Sequence, residues 1–512
     1  MKINEFSYDQ VPYPSYTFPQ THPDRLATLA LRNGLVAADP TSCRVLELGC
    51  GDGTNLLSHA YALPGSSFVG IDLSAVHIAK AELVRDRLGL SNAVFRQADV
   101  TAAGRDELGE FDFIIAHGLF SWVPGVVRDA VLRIYKECLT PNGVGYISYN
   151  AYPGCHIRDL ASGIMRFHAA NVDVPDEKIR QGIGFLNFVV DSAEKDSLYQ
   201  QIMRLELGQI AERSNENIYH DDLSECNQAF YFYEFCSLLA ASGLQYVSES
   251  NSSASFLGEF GPETRSVLKA CENDVIRREQ YIDFIKCRRF RSSLVCRNTN
   301  ELNRSDDPAL VKNFYISSKL EPVGSESDPA ASENVRFVGH KDESVEINDP
   351  VTKAALLFLH SVYPENIRFD DLVTRAPIFA GISPPNGEEI DRMAAYLLQM
   401  YDAGMISLHL HQPNFAKEAG ELPRVSDFAR WQIEIGSEGV STLTGANLKP
   451  SNDVVRTLIQ LADGTRRRPE LIRDLAAQIE VPDDEQSAFL EYLNDFIRDE
   501  LANMARAGLL IQ

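Results

Sequence analysis

The chain of 512 residues is 44% hydrophobic and 23% charged, as in ordinary folded globular proteins, and is long enough for about three domains. No run approaches the roughly 18 apolar residues of a membrane helix, so we expect no membrane insertion, and the formal net charge of -24 disfavours nonspecific nucleic-acid binding. None of the nine cysteines forms a CxxC pair, which excludes a disulfide framework and a zinc site and favours a reduced, cytoplasmic protein without a metal.

Residues 1–22 form an arm rich in aromatic residues and proline, without the apolar stretch of a signal peptide. This arm either packs as a structural element or folds as a lid over a bound ligand, with Tyr13 and Tyr16 beside that ligand. Thr21 is a candidate cap for a helix that begins near Pro23 and ends at Gly34.

Strands and helices alternate between residues 44 and 150. Short apolar segments predict the strands, and amphipathic segments between them predict the helices. The predicted strands are RVLEL (44–48), SFVGID (67–72), AVFRQADV (93–100), FDFIIAHG (111–118) and VGYISYN (144–150). This alternation predicts an α/β fold built on a parallel sheet.

After residue 160 the alternation stops, and long helices are predicted over about 175–195 and 197–213. The segments that resume the pattern are a helix over 229–243 and strands over 244–250 and 289–297. These segments can complete the sheet, which leaves 160–228 and 260–288 as helical insertions. The second insertion carries VIRREQYIDFIKCRRF, whose spacing favours a structural helix with salt-bridged edges over a nucleic-acid patch.

Residues 298–350 are polar and predict a linker or loops. Two similar units follow, over 351–412 and 450–512. Each contains successive helices, the last of which leads through Ala-Gly into a short apolar strand. This order is typical of winged-helix-like domains, but the acidic residues in their helices favour docking of protein over DNA.

The segment ELGCGDGTN (47–55) lies between a predicted buried strand and a helix. Gly49, Gly51 and Gly53 let the backbone turn sharply and approach a ligand closely. Glu47 and Asp52 add negative charge, which suits a ligand carrying an ammonium and a sulfonium better than a pyrophosphate.

Acidic residues close the next two predicted strands. Asp72 can accept hydrogen bonds from both hydroxyls of a ribose, and Asp99 can accept from an adenine amino group, with Val100 beside the ring. Because the carboxyl ends of parallel strands meet in one crevice, these acids and the glycine loop predict a site for S-adenosylmethionine.

With these motifs, residues 44–150 resemble the class I S-adenosylmethionine-dependent methyltransferases. The wider chain resembles bacterial methyltransferases that carry a methyltransferase regulatory domain, which are similar to the rickettsial protein-lysine methyltransferases that modify outer-membrane proteins. The segments that carry this resemblance are YPSYTFPQTHPDRLATLA, IAHGLFSWVP, SYNAYPG and REQYIDFIKCRRFR.

The resemblance implies a Rossmann-like seven-stranded class I methyltransferase sheet with helical insertions and C-terminal, α-rich winged-helix-like domains. It also implies a homodimer. The expected bounds are 1–160 for the arm and the cofactor-binding core, 161–228 for an insertion serving dimerisation or substrate binding, 229–300 for completion of the sheet with regulatory-domain helices, 301–345 for a linker, 346–415 for a middle winged-helix-like domain and 416–512 for a C-terminal one.

The resemblance implies S-adenosylmethionine contacts at the glycine loop, at the acids after the next strands and around His117. The residues expected to bind it are Glu47, Gly49, Cys50, Gly51, Gly53, Asp72, Leu73, Asp99, Val100, His117 and Tyr13.

A signature found in many amino-group methyltransferases, Asn or Asp followed by Pro-Pro and an aromatic, is absent after strand four, where HGLFSWVP stands instead. An asparagine among aromatics follows strand five. The candidate catalytic residues are Tyr149, Asn150, Tyr152 and His117, and the candidate substrate-binding residues are Trp122, Tyr149, Tyr152 and His156.

Structural explanations compete with several of these assignments. His117 can be a backbone-contact position with a solvated ring, Trp122 can be a core residue, and His220 fits a helix-cap cluster.

The leading functional hypothesis is a methyltransferase for lysine side chains of proteins, because about 200 residues of interaction-type domains accompany the cofactor crevice. The alternatives are a methyltransferase for a small molecule, lipid or glycan, and a non-catalytic cofactor-binding interaction protein. The net charge and the missing signature disfavour an RNA methyltransferase.

Overall fold

The computed structural model describes residues 11, 13, 16–324, 334–339, 343–479 and 486–512. Its centre is a seven-stranded sheet in the order β3-β2-β1-β4-β5-β7-β6. The strands are β1 (Arg44–Leu48), β2 (Ser67–Asp72), β3 (Ala93–Gln97), β4 (Phe111–Ala116), β5 (Leu139–Asn150), β6 (Leu244–Glu249) and β7 (Phe290–Arg297). The first five strands are parallel, and β7 runs antiparallel to both β5 and β6, which confirms the predicted sheet.

Alternate residues of the central strands point to opposite faces of the sheet, as the pleat requires. One face buries Val45, Phe113, Ile115, Val144 and Tyr146. The other face buries Leu46, Leu48, Ile114, Ile147 and Tyr149. Because both faces are covered, the strands read as continuous apolar runs, which is why they were visible in the sequence.

Twelve helices stand among the described residues before position 300. They are α1 (Pro23–Arg32), α2 (Thr54–Ala62), α3 (Ala75–Arg87), α4 (Arg105–Leu108), α5 (Gly125–Cys138), α6 (Gly154–His168), α7 (Pro175–Ser192), α8 (Leu198–Ala211), α9 (Asn215–Asp221), α10 (Phe232–Ala241), α11 (Pro262–Lys269) and α12 (Val275–Lys286). The helices α6 to α9 surround a small core of their own.

Two details of the predicted elements need correction. The expected boundary at residues 160 and 161 falls inside α6, because that helix begins directly after β5, at Gly154. The cap of α1 is His22, whose side chain accepts from the backbone N–H of Asp24, while the hydroxyl of Thr21 donates to the carbonyl of Phe18.

A buried ion cluster ties α12 to the edge of the sheet. The side chain of Arg291 on β7 is fully buried and donates to Asp283 at 2.8 Å and to Glu249 at 2.7 Å. It also reaches Glu279 at 3.1 Å and lies 4.0 Å from the ring of Phe232. A buried arginine with several carboxylate partners fixes the elements that supply them, since an unpaired charge there would be costly. The segment VIRREQYIDFIKCRRF therefore contains a structural helix held by salt bridges, as its spacing predicted.

The C-terminal half contains two smaller helical units. Their strands are β8 (Tyr315–Ser318), β9 (Glu321–Pro322), β10 (Val335–Val338), β11 (Ser344–Ile347), β12 (Ile367–Arg368), β13 (Ile406–His409), β14 (Val440–Ser441) and β15 (Asn447–Leu448). Their helices are α13 (Pro350–Val362), α14 (Phe369–Ala380), α15 (Gly387–Asp402), α16 (Asp427–Glu434), α17 (Asp453–Leu461), α18 (Arg468–Ala476) and α19 (Gln486–Arg506).

The predicted linker over 301–345 is wrong in part, because β8 and three further short strands lie there. Strand β8 pairs with β12 and β13 and so belongs to the middle unit. Short strands among polar loops give little periodicity, so the sequence pattern missed them. Residues 325–333 and 340–342 of that segment lie outside the described residues.

No helix in the described part of the chain combines the length and the apolar character that crossing a membrane requires.

Candidate functional site

The loop after β1 turns back against β2 through backbone hydrogen bonds. The N–H groups of Gly49 and Cys50 donate to the carbonyl of Ile71, at 2.9 and 3.1 Å. The N–H of Gly51 donates to Asp72 Oδ2 at 2.9 Å. Gly49, Gly51 and Gly53 have φ angles of +67°, +54° and +76°, in the left-handed region that favours glycine. This loop therefore has its shape because of its three glycines and the carboxylate of Asp72.

Two of the glycines serve different purposes. A Cβ on Gly53 would lie 2.7 Å from Phe95 and 2.8 Å from Ala81, so this glycine is required for packing of the loop against β3 and α3. A Cβ on Gly51 would meet no heavy atom within 4 Å. The open space beside Gly51 is the position where a ligand can approach the backbone.

Glu47 lies beneath the loop and is 4% exposed. Asn55, in the first turn of α2, donates to Glu47 Oε1 at 2.8 Å, while Oε2 is buried with no partner among the described residues. Burial raises the pKa of Glu47 to about 8. A buried carboxylate with an unpartnered oxygen is suited to accept from a cationic ligand.

The acids after the next strands face the same edge of the sheet. Asp72 accepts from the N–H of Ser74 at 2.9 Å as well as from Gly51, and Leu73 beside it is half exposed. Asp99 is exposed and accepts from the N–H and the hydroxyl of Thr101, at 2.8 and 2.7 Å. Val100 is buried.

His117 follows β4 and is sandwiched between the sheet and the N-terminal arm. Its Nδ1 lies 2.9 Å from the hydroxyl of Tyr146, and its ring centroid lies 3.6 Å from that of Phe18. Burial lowers the pKa of His117 to about 4. The ring is therefore neutral at physiological pH, and it packs on Phe18 and the hydroxyl of Tyr146 while it remains partly exposed.

The described part of the arm crosses this edge. The carbonyl of Val11 lies 2.6 Å from His220 Nε2 on α9, and the rings of Tyr13 and His220 are 5.8 Å apart. Tyr16 is 45% exposed and lies 6.3 Å from Phe18, centroid to centroid. Residues 1–10, 12, 14 and 15 lie outside the described residues.

Asn150 ends β5 and pairs with Asn227, which lies in the loop before α10. Asn150 is 4% exposed, and its amide donates to Asn227 Oδ1 at 2.8 Å. Its backbone N–H donates to Ser121 Oγ at 2.8 Å, which joins the end of β5 to the loop after β4. With the amide nitrogen committed to Asn227, Oδ1 is the end of the Asn150 side chain that can accept from a ligand.

A group of aromatic residues lies in and around the segment that follows β5. The ring of Tyr152 stacks on His156 at 3.9 Å, and its hydroxyl donates to Asp159 at 3.0 Å. His156 Nε2 lies 3.0 Å from the hydroxyl of Tyr231. Trp122 is half-buried beneath the guanidinium of Arg158, 5.8 Å away.

Tyr149 stands apart from the other candidates. It is 1% exposed and stacks on Phe235 at 4.0 Å, on the face of the sheet covered by α10. Because side chains alternate along β5, Tyr149 and Asn150 point in opposite directions. The structure thus brings Tyr152 and His156 together, pairs Asn150 with Asn227 and leaves Tyr149 in the core.

Several residues at this edge were not among the candidates. Asn55 was detectable, since it is a polar residue in the helix turn directly after the glycine loop. No sequence pattern marked the other four, because each reaches the site only when a distant segment folds against it. They are Phe18, Ser121, Asn227 and Tyr231.

Comparison with known proteins gives three matching family models. Residues 46–144 match a methyltransferase domain, 214–297 a predicted methyltransferase regulatory domain, and 421–509 the C-terminal winged helix domain of PKMT. The uncharacterized protein RP028 of Rickettsia prowazekii is 33% identical over 235 residues, which cover 46% of this chain and 94% of that protein. The chain belongs to this family of S-adenosylmethionine-dependent methyltransferases.

A further relative and two solved structures are also similar to this chain. The uncharacterized protein RP789 of Rickettsia prowazekii is 38% identical over 68% of this chain, and the match spans 64% of the length of RP789. The structure of PKMT2 from Rickettsia typhi covers 98% of this chain and all of that chain, with 25% identity and a TM-score of 0.86. A second PKMT2 structure, in complex with AdoHcy, has a TM-score of 0.87 at 24% identity and shows the same fold.

The crevice of this methyltransferase fits S-adenosylmethionine. The buried, unpartnered Glu47 Oε2 offers an acceptor for an ammonium, and the space beside Gly51 admits a ligand against the backbone. Asp72 and Asp99 end strands at the same edge and can accept from hydroxyl and amino groups. The prediction of this cofactor is confirmed by the family. The individual contacts stay predictions.

Substitution of the two glycines by alanine separates binding from folding. Gly51→Ala is expected to raise the Kd for S-adenosylhomocysteine at least 100-fold, since the new methyl group occupies the open space beside the loop. Its stability should fall by about 1–2 kcal/mol because φ is positive. Gly53→Ala should lower the unfolding temperature further, because its methyl group collides with Phe95 and Ala81.

Calorimetric titration and thermal unfolding measure the two effects. Gly163→Ala is the matched control, since a Cβ there meets nothing within 4 Å and the residue lies in α6. If Gly51→Ala binds the ligand like the wild type, the open space is not part of the cofactor site.

The raised pKa of Glu47 predicts pH-dependent binding. Below pH 8 the carboxyl is mostly protonated, with a pKa of about 8, and a cation beside it favours the carboxylate. Binding of S-adenosylhomocysteine should therefore release a proton, and its Kd should fall by up to about tenfold per unit between pH 6 and pH 8. Titration in buffers of different ionisation enthalpy measures the proton release. Glu47→Gln should abolish it, and equal release from this variant would assign the proton to another group.

Proposed function

We propose that this methyltransferase transfers the methyl group of S-adenosylmethionine to lysine side chains of proteins. The observation that carries the proposal is the arrangement at the end of β5, where an amide oxygen and aromatic rings follow a strand that ends at the same edge of the sheet as the strand before the cofactor loop. The match of the C-terminal segment to the winged helix domain of PKMT supports the same substrate class.

The bound cofactor supplies an electrophilic methyl group, and the protein must present a nucleophile in line with it. Asn150 Oδ1 can hold an amine by accepting one of its N–H groups. The partners Asn227 and Ser121 fix the side chain and the backbone of Asn150, at 2.8 Å each. Such fixed positioning can provide much of the rate of a displacement reaction.

The aromatic residues near the end of β5 and the acidic balance of the whole chain favour a cationic substrate. The rings of Tyr152, Tyr231 and Trp122 offer faces on which an alkyl ammonium group can lie. The net charge of -24 gives the protein a field that attracts basic segments of a partner.

The candidate bases are unsuited to remove the proton from lysine. The pKa of His117, lowered to about 4 by burial, makes its ring a weak base. Burial raises the pKa of Tyr152 to about 12, so the phenol keeps its proton, which it shares with Asp159. We therefore propose that the amine loses its proton to water before transfer.

A transfer assay with labelled S-adenosylmethionine and a fractionated lysate tests the proposal. The wild type should label protein, and hydrolysis should release methylated lysine. Asn150→Ala should lower the rate about 100-fold, because the amine loses its positioning contact.

Tyr149→Phe is the matched control, since its hydroxyl lies in the core, 3.4 Å from Ser293, and the rate should stay within threefold of wild type. Label found only in low-mass or lipid fractions would instead select a small molecule, lipid or glycan as the acceptor. Tight cofactor binding without any transfer would select a non-catalytic interaction protein.

We also propose a homodimer formed through α6 to α9. Large apolar side chains are exposed there, with 84% of Phe167, 62% of Phe188 and 70% of Leu205 accessible. Large apolar side chains exposed on neighbouring helices are a feature of protein interfaces. Light scattering should give twice the chain mass of 57.0 kDa, and Phe167→Asp with Phe188→Asp should give a monomer. A monomeric wild type would contradict the dimer.

A further inference from the structure

The C-terminal unit holds one residue of the N-terminal arm. Thr17 is 8% exposed and lies against the β14–β15 hairpin. Asn447 Nδ2 donates to the Thr17 carbonyl and Ser441 Oγ donates to Thr17 Oγ1, both at 2.8 Å. Thr17 Oγ1 in turn donates to Asn447 Oδ1. A single arm residue thus makes three hydrogen bonds to a hairpin that follows it by more than 400 positions.

The next residue of the arm contacts the cofactor crevice. The N–H of Phe18 donates to Asn55 Oδ1 at 2.9 Å, and its ring lies on His117. Asn55 donates through its amide nitrogen to Glu47. Two consecutive residues therefore join the C-terminal hairpin to the glycine-loop side of the crevice.

The start of α1 has a separate anchor. Asp24 accepts from the N–H of Leu410 at 2.7 Å and lies 2.8 Å from His409 Nδ1, both in the middle unit. Loss of the Thr17 contacts would therefore loosen residues 16–18, which lie between the contact of Val11 with His220 and the anchor of α1, and would leave α1 in place. The arm, rather than the fold, depends on Asn447.

We propose that the C-terminal winged-helix unit positions the arm over the cofactor crevice, with Asn447 as the positioning residue. None of the residues assigned to cofactor or substrate binding belongs to that unit. Its effect is transmitted through Thr17 and Phe18 to Asn55, Glu47 and His117. This inference rests on the assignment of the crevice as the cofactor site.

Cofactor affinity then depends on a side chain in a different domain. Removal of Asn447 deletes two hydrogen bonds to the arm, each with a modest net contribution. The Kd for S-adenosylhomocysteine of Asn447→Ala should rise about tenfold, because part of the binding energy must then order the arm.

If the hairpin contacts strengthen ligand binding in the crevice, then ligand binding must stabilise the hairpin contacts by the same free energy. In the wild type, S-adenosylhomocysteine should slow amide hydrogen exchange in residues 440–448 as well as in residues 16–22. In Asn447→Ala, exchange in residues 16–22 should be faster without ligand, and the effect of ligand on the hairpin should disappear. A purely structural role for Asn447 would not produce this loss of coupling.

The control is Asn503→Ala. Asn503 is an exposed asparagine of α19 that lines the same cavity of about 300 Å³ as Asn447. Its amide donates to Glu500, and it makes no hydrogen bond to the described residues of the arm. Its Kd should equal that of the wild type within twofold. Thr17→Ala should reproduce the Asn447→Ala effect, and the double variant should bind no more weakly than either single variant.

The possible outcomes distinguish failure of the cofactor assignment from failure of the positioning role of Asn447. A wild type that binds no S-adenosylhomocysteine would contradict the cofactor assignment itself. A wild type that binds, together with an Asn447→Ala variant of equal affinity and unchanged exchange in residues 16–22, would overturn the positioning role alone. A large fall in the unfolding temperature of Asn447→Ala but not of Thr17→Ala would show that Asn447 supports the fold instead.

Discussion

The site depends on one geometric constraint, that parallel strands deliver their carboxyl ends to a single edge of the sheet. The glycine loop, Asp72, Asp99, His117 and Asn150 all stand at such ends. The bond from the N–H of Gly51 to Asp72 makes the first loop depend on the second strand. The proposed cofactor and acceptor sites share one edge of the sheet because both occupy the ends of parallel strands.

The segments outside the parallel strands have two roles: some support the sheet, and others lie over its carboxyl edge. The segment that matches the regulatory domain supplies β6, β7 and α12, and the buried Arg291 binds these three elements into one unit. This segment therefore completes the sheet and supports the end of β5. The arm and α9 instead lie over the carboxyl edge, where His220 meets the carbonyl of Val11.

The C-terminal units contact the arm and α1, which lie next to the site, but supply none of the residues assigned to it. The middle unit anchors α1 through Asp24, and the C-terminal hairpin holds Thr17. This arrangement explains how winged-helix-like units can serve an enzyme with an acidic surface. We propose that they act on the protein itself and on a protein partner, and neither role requires a contact with DNA.

The amino-acid sequence by itself determined the sheet, the cofactor class and the loop that carries it. Strands buried on both faces are continuous apolar runs, and the glycine spacing between strand and helix is local, so both are readable along the chain. Only the tertiary structure decided the partners of Asn150, the core position of Tyr149, the packing of His117 on Phe18 and the hydrogen bonds of Asn447 to Thr17. Each joins segments far apart in the chain or depends on which face of a strand a side chain occupies, and no local pattern records either.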